Sequence, residues 1–546
     1  MEKIKKQETG ITLLVLVITI IILLILAGIT ISAITGDNGI IKNAGQAKEE
    51  TEIANEKEII EKATVQAMGN NKYGNIEEGE LQSDLDKETR EGKTEATDIG
   101  DEFEVVFIDS NRYYTVDKDG NVGEGQEIIK DKNPGDITTG KDGETLDGSE
   151  EHPYEIWCIE DLIEWSQNYT KYQNNHIILC KDLNFKSRLS YADSENTSYG
   201  DINEDDKIES LIEEMQTGIG FTPISNFTGT FNGQGYEIRN VYVNTTEGNV
   251  GGLFKAIGVP TIITTIKNIT VTGDITGTSS VGGIIGATNN VNNTGKVIIE
   301  NCVNKCTVNY NLNPSNIVII GIGGILGENS LANTTDTVQI INCHNYGTIN
   351  SSSENSYSGI GGIAGCDYYN GLIINECYNA GTINGKENNT AGIIGRGGNS
   401  IYNSYNSGEV KGSGIGGHNC ANIYNCYNIG NVTLSGIVRG DYLGSVVINN
   451  VYTTSSIKSK PIVHEYISNA TISNVFYSDE CIYTDTYGTK ISEKDMKGTV
   501  ENKNSLISLL NRYVENYNLE NKNEKNFIEL NYWELDGNTG YPKLKY

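Results

Sequence analysis

The sequence predicts an all-β protein, a right-handed parallel β-helix with small caps, preceded by a long N-terminal transmembrane α-helix and a small β module. Three observations carry this. Two short phrases, such as GGIIG at Gly282 and NCHNYGTI at Asn342, alternate along the second half of the chain. The composition sets 62 Gly and 31 Tyr against 7 Pro and 9 Phe, with Asn abundant in the second half. Gly and Asn accept left-handed backbone, so such a chain makes many tight turns. Finally, no charged residue occurs between Ile11 and Thr35.

At 546 residues the chain exceeds one compact core, so several domains or one elongated domain are expected. A net charge of -31 makes nucleic acid and anionic membrane surfaces poor partners for the body, because both would repel it.

Residues 1–10 form a basic leader with Lys3, Lys5 and Lys6. The uncharged run behind it would reach about 37 Å as a helix, enough to cross a bilayer. It is too long for the apolar core of a secretion signal, about 7–15 residues. The basic flank puts the N-terminus in the cytoplasm and the acidic bulk outside, anchored in the membrane by this helix. A charged helix then continues to Met68, with Ile53, Ile60 and Ala67 seven apart on a weak apolar stripe and Gly36–Gly39 interrupting it.

The junction GITLLVLV resembles the start of type IV pilin-like proteins. The resemblance implies cleavage between Gly10 and Ile11 by a prepilin peptidase, methylation of the new N-terminus, and other pilin-like subunits as partners. Thr12 and Leu13 match the family's second and third mature positions. Val15 departs from it, since the family usually has Glu there, pairing with a neighbour's N-terminal amine. A buried charge without a partner costs several kcal/mol. Val15 therefore suits a filament tip or a protein that does not polymerise, and both readings stand.

Residues 69–123 read as a small module: one short surface helix over EGELQSDLDKETREGK, then EFEVVFIDSNRYYTVDKDGNV as a hairpin or meander too small to be stable alone. DKDGN resembles the opening of a calcium loop but lacks the later ligands, so a plain turn is expected. Residues 124–150 are acidic and Gly-rich, and read as a flexible linker.

The repeats fill residues 238–490. Cys302, Cys343, Cys377, Ser404 and Cys426 share one phase, at spacings of 41, 34, 27 and 22 residues. Constant phrases at shrinking intervals indicate one repeated coil with loops of different length. Such a coil cannot bury its apolar side alone, so coils must stack at strand spacing, about 4.8 Å. Stacking predicts a ladder of side-chain amides through Asn345, Asn379, Asn406 and Asn428. The GGLF and GGIIG phrases resemble the GLUG motif of bacterial surface proteins. With FTPISNFTGTFNGQGYEIRNVYV before them, they imply an N-terminal cap and first coil over 151–237 and a C-terminal helix and strand cap over 491–546.

The cysteine column has parallel Cβ vectors, poor geometry for disulfides, and reads as small buried apolar residues. Cys158–Cys180 is the best disulfide candidate. No cofactor or metal is expected, for no CxxC pair or His spacing suits zinc. Catalysis finds little support: the five His share no motif, and the acids from 281 to 457 are scattered. Asp367 beside Tyr368 and Tyr369 is the least poor candidate. His344 shares a column with Tyr378, Tyr405 and Tyr427, read as stacked surface aromatics. Tyr368, Tyr369, Tyr378, Tyr405 and Tyr427 are therefore the candidate ligand contacts, since Tyr adds stacking area and a hydroxyl at low entropic cost. The expected role is an adhesin-like binding or display module at the cell surface or on a pilus, its glycan or protein ligand unknown. A glycan-active enzyme on the same scaffold and a structural spacer are the alternatives.

Overall fold

The computed structural model describes residues 40–546, except 72–74, 128–133, 192–205, 246–249, 259–262, 289–294, 312–319, 331–336, 352–357, 369–370, 398–399, 441–444, 456–459 and a few single positions; side chains are described from residue 51. The leader, Gly10, Ile11, Val15, the apolar run and the Gly36–Gly39 interruption lie outside the described residues. Among those described, no helix is long and apolar enough to cross a membrane. The chain divides into two compact units at Ile128–Ile129.

In the first unit, α1 (Ile40–Asn70) and α2 (Glu78–Thr89) accompany an antiparallel sheet of β1 (Thr94–Asp98), β2 (Glu102–Phe107), β3 (Arg112–Asp117) and β4 (Gln126–Glu127). A lone hairpin is marginal in water, and here it has help. Ile60, Ala63 and Ala67 of α1 pack with Leu81 and Leu85 of α2 on Phe103, Val105, Tyr114 and Val116. Helix and sheet are also joined by Glu56, which accepts from Arg112 Nη1 at 2.8 Å and from the Tyr114 hydroxyl at 2.7 Å. The DKDGN segment is a turn in which Asp117 Oδ1 accepts from the backbone N–H groups of Asp119 and Asn121.

The second unit begins inside the segment expected to be a linker. Ile137 and Leu146 are buried, and the Gly135 N–H donates to Asp161 at 3.0 Å. Ile137 joins the core of the cap, which is why these residues lie on the second unit despite their polar sequence. The strands Tyr154–Ile156 and His176–Leu179 open the parallel stack, and α3 (Ile159–Gln167) covers them. Its Trp165 packs against Phe227, Phe231 and Phe254 with ring centroids 5.1, 5.3 and 5.6 Å away.

From there the chain winds as a parallel β-solenoid. Ile177, Phe231, Ile266, Ile299, Ile340, Ile374, Ile401, Ile423 and Ile448 occupy one register position in successive coils, all of them buried. A seven-stranded parallel sheet, from Phe254–Ile257 to Val438–Gly440, and a four-stranded one, from Val281–Gly282 to Thr390–Ala391, form further sides of the coil. Loops absorb the shrinking repeat interval while pairing stays in register, as in His344↔Tyr378↔Tyr405↔Tyr427.

The two repeated phrases meet inside. Asn304, Asn345, Asn379, Asn406 and Asn428 are fully buried, and each Nδ2 donates to the next Oδ1 at 2.7–2.8 Å. Gly283, Gly324, Gly362, Gly392 and Gly414 of the glycine phrases lie against this ladder. A Cβ at Gly362 would collide with the Gly392 carbonyl and with Asn379. The cysteine column is more polar than its apolar reading. In Cys302, Cys343 and Cys377 the thiol donates to the carbonyl two residues earlier at 3.2 Å. Cys302 and Cys343 also donate their N–H to the next coil's sulfur at 3.4 Å. Ser404 continues the pattern, accepting from the Cys377 N–H. All ten cysteines stand as thiols, so the candidate Cys158–Cys180 pair is not a disulfide.

Candidate functional site

Successive coils bend at a residue with left-handed backbone: Asn268, Asn301, Asn342, Glu376, Asn403, Asn425, Asn450 and Asn474, with φ between 46° and 58°. Asn is the residue other than Gly that tolerates this conformation best, which explains its recurrence. Their side chains form a second, outer amide ladder. Asn342 donates to Asn301 at 2.8 Å, Asn301 to Asn268 at 2.9 Å and Asn268 to Asn232 at 2.9 Å. After Glu376, which interrupts it, the ladder resumes with Asn425 donating to Asn403 at 2.7 Å and Asn450 to Asn425 at 2.6 Å.

Two residues past the bends, from Asn342 onward, stands the aromatic column. His344 stacks on Tyr378 at 4.0 Å between centroids, Tyr378 on Tyr405 at 4.7 Å, Tyr405 on Tyr427 at 4.7 Å and Tyr427 on Tyr452 at 5.3 Å. The rings present their faces to one another, so only edges and hydroxyls are left for a ligand. Burial moves the His344 pKa down to about 4, so the ring is neutral at pH 7 and bonds Asn342 Oδ1 at 3.1 Å through Nε2. The Tyr405 phenol is pushed up to about 12, again by burial.

The C-terminal segment covers one half of this face. Helices α4 (Glu493–Met496) and α5 (Leu506–Asn521) and the hairpin Trp533–Leu535/Pro542–Leu544 pack on Tyr427, Tyr452 and Phe476. The segment thus lies against the flank of the coils, and its expected final strand is a hairpin. This corrects the reading of Tyr427 as a surface contact, since Trp533 packs on it at 5.5 Å and leaves it 4% exposed. Tyr378 and Tyr405 are half-buried, and Tyr368 is exposed on its loop. Tyr369 lies outside the described residues. Asp367 is buried, accepting from Asn329 Nδ2 at 2.8 Å and from the Leu372 N–H at 3.1 Å, so its carboxylate is spent on holding the coils.

Sequence reasoning missed Tyr346. It is 49% exposed, stands at 90° to the Tyr378 ring, and shares a hydroxyl–hydroxyl bond with it. Its position in the repeat is filled elsewhere by Lys305, Ala380, Ser407 and Ile429, so no column flagged it. The open half of the face is thus Asn268, Asn301, Asn342, His344, Tyr346 and Tyr378. Its chemistry is uncharged: amides, phenols and a neutral imidazole. Buried thiols elsewhere, such as Cys366 and Cys420, are pushed up to about 12 by burial, which keeps them from acting as thiolates. Among the described residues no group of His, Cys, Asp and Glu is arranged to hold a metal ion.

No family model matches the chain. Over 175 residues, 26% of the chain, it is 27% identical to halomucin of Haloquadratum walsbyi, and the match spans only 2% of that protein's length. Among solved structures, a candidate immunoglobulin A1 protease from Bacteroides ovatus aligns over 74% of this chain and 95% of its own, at 15% identity and a TM-score of 0.33. That superposition is too loose to carry any functional conclusion.

Proposed function

We propose that this chain is a bacterial surface-display protein whose solenoid presents an uncharged binding face, in the manner of an adhesin. The carrying observation is the open cluster of His344, Tyr346 and Tyr378 beside Asn301 and Asn342, placed on a rigid stack of coils. Aromatic edges and amide donors in fixed positions suit contact with neutral glycans or polypeptides. The net charge of -31 favours a solvated, displayed body. The pilin-like start supports the means of display: cleavage after Gly10, with the helix from Ile11 held in a membrane or, given Val15, at a filament tip.

Probing the full-length protein on arrays of glycans and extracellular-matrix proteins tests the binding. Selective retention, reduced in a Tyr346→Ala/Tyr378→Ala variant, is the expected result. Release of oligosaccharides from any retained glycan would instead identify an enzyme, and absence of retention would leave a spacer. Mass spectrometry of the mature N-terminus tests the display: a chain starting at methylated Ile11 is expected, and an intact Met1 would overturn the pilin-like processing.

A further inference from the structure

The C-terminal segment shows what the bend asparagines can hold. Residues Glu529 to Asn531 run extended along the outer ladder. Asn403 grips them with both amide atoms: its Nδ2 donates to the Glu529 carbonyl and its Oδ1 accepts from the Asn531 N–H, each at 2.9 Å. One coil further, Asn425 Nδ2 donates to the Asn531 carbonyl at 2.8 Å, and its Oδ1 accepts from the Trp533 indole N–H at 2.7 Å. In both asparagines one hydrogen of Nδ2 serves the preceding coil, donating to Asn375 at 2.8 Å or to Asn403 at 2.7 Å, and the other serves the peptide. The grip is thus a regular property of the ladder.

Beyond Glu376 the same ladder continues with nothing described lying on it. Glu376 marks the border, its carboxylate accepting from Asn531 Nδ2 at 2.9 Å. Asn301 and Asn342 have the same left-handed bend as Asn403 and Asn425, and each spends one Nδ2 hydrogen along the ladder in the same way. The second hydrogen has no partner among the described residues. Tyr346, standing on edge against Tyr378, supplies an aromatic wall beside this half, as Trp533 supplies an aromatic contact on the covered half.

We infer that Asn268, Asn301 and Asn342, with His344, Tyr346 and Tyr378, form a docking groove for an extended, aromatic-bearing peptide segment of a partner protein. The segment lies along the solenoid axis as Glu529–Trp533 does on the covered half. Its backbone carbonyls accept from the outward Nδ2 hydrogens, and an aromatic side chain packs in the corner of Tyr346 and Tyr378. The inference deepens the proposed binding role and rests on it for the face being displayed. Continuity with the covered half selects a peptide over a glycan, because the neighbouring asparagines already hold a peptide backbone in this chain.

The probe is a fluorescein-labelled synthetic peptide of residues 527–535, FIELNYWEL, titrated with the full-length protein by fluorescence anisotropy. Saturable binding is expected, lost on scrambling of the peptide. Asn301→Gly/Asn342→Gly keeps the left-handed bends while removing the amides, and should weaken binding about tenfold or more. Asn342→Asp keeps the bend and an acceptor but loses the donor, and should weaken it less. A peptide that exchanges with the chain's own segment would instead respond to Asn403→Gly/Asn425→Gly and not to the Asn301 and Asn342 changes; that pattern overturns the inference, as does absence of binding. If the arrays retain a glycan through Tyr346 and Tyr378 while the peptide does not bind, the peptide groove fails and the binding role stands. If neither binds, both fail.

Discussion

The two units solve the same problem, satisfying buried polar groups, in opposite ways. The first unit ties helix to sheet with a charged junction. Glu56 on α1 meets Arg112 and Tyr114 on β3, and the Glu56 and Arg112 side chains are almost wholly shielded. Among the described residues the solenoid has no such pair at its centre. It stacks neutral asparagines, each of which makes the same bonds as the one before. A buried charge pair is strong only when complete, because removing one partner leaves a desolvated ion. A neutral ladder spreads the dependence over many equal, smaller steps. The first unit should therefore break at one residue, and the solenoid should fray coil by coil.

Glu56→Ala is the sharpest test of that contrast. It removes the carboxylate that the Arg112 guanidinium and the Tyr114 hydroxyl share in a closed site, at an expected cost of about 3–5 kcal/mol. Hydrogen exchange read by mass spectrometry should show Arg112–Asp117 and the facing turns of α1 losing protection together, while the coils stay protected. If exchange in the first unit is unchanged, the ion pair does not hold helix to sheet. In the solenoid, Asn379→Ala should cost somewhat less, about 2–4 kcal/mol. It removes the acceptor of Asn345 and the donors to Gly381 and Asn406. Its protection loss should centre on the coils around Tyr378 and fall off with distance along the axis. Uniform loss across all coils would refute the nearest-neighbour picture.

These unlike architectures were also unequally legible in the sequence. Repetition made the solenoid visible: the Gly-Gly and Asn-Cys phrases fixed the coil, and the ladder from Asn345 to Asn428 could be placed residue by residue. The outer amide ladder and the thiol hydrogen bonds were not legible, because they depend on which way each side chain turns. Contacts made once leave no pattern. Glu56 with Arg112, Ile137 under the cap and Trp533 on Tyr427 join residues distant in sequence, and each overturned or completed a local reading. Tyr346 was missed for the same reason, standing out of column where function has room to differ from packing.

Gly362→Ala probes the place where the two phrases touch. The added methyl would meet the Gly392 carbonyl and the Asn379 side chain, backbone and ladder at once. Forcing atoms into a filled interior costs about 1–3 kcal/mol, so a lowered thermal midpoint is expected. A neutral result would mean the coils can part without disturbing the amides.

The smallest expected effect lies at the open end of the aromatic column. The His344 pKa is depressed in the folded chain, to about 4 against about 6.5 when unfolded. The unfolded chain thus takes up a proton as pH falls through about 6.5, while the folded chain does not until about 4. Stability from this residue is complete above pH 6.5 and declines as pH falls towards 4. Solvent reaching the ring edge reduces the effect to about 1 kcal/mol. His344→Tyr installs the ring its sister coils carry and has no proton to gain in that window. The difference in unfolding midpoint between this variant and the parent should therefore widen in the variant's favour from pH 7 to pH 5. Carboxylates elsewhere titrate equally in both chains and cancel. A constant difference across the window would mean that His344 is as well solvated folded as unfolded, and that the stacked column is open at that ring.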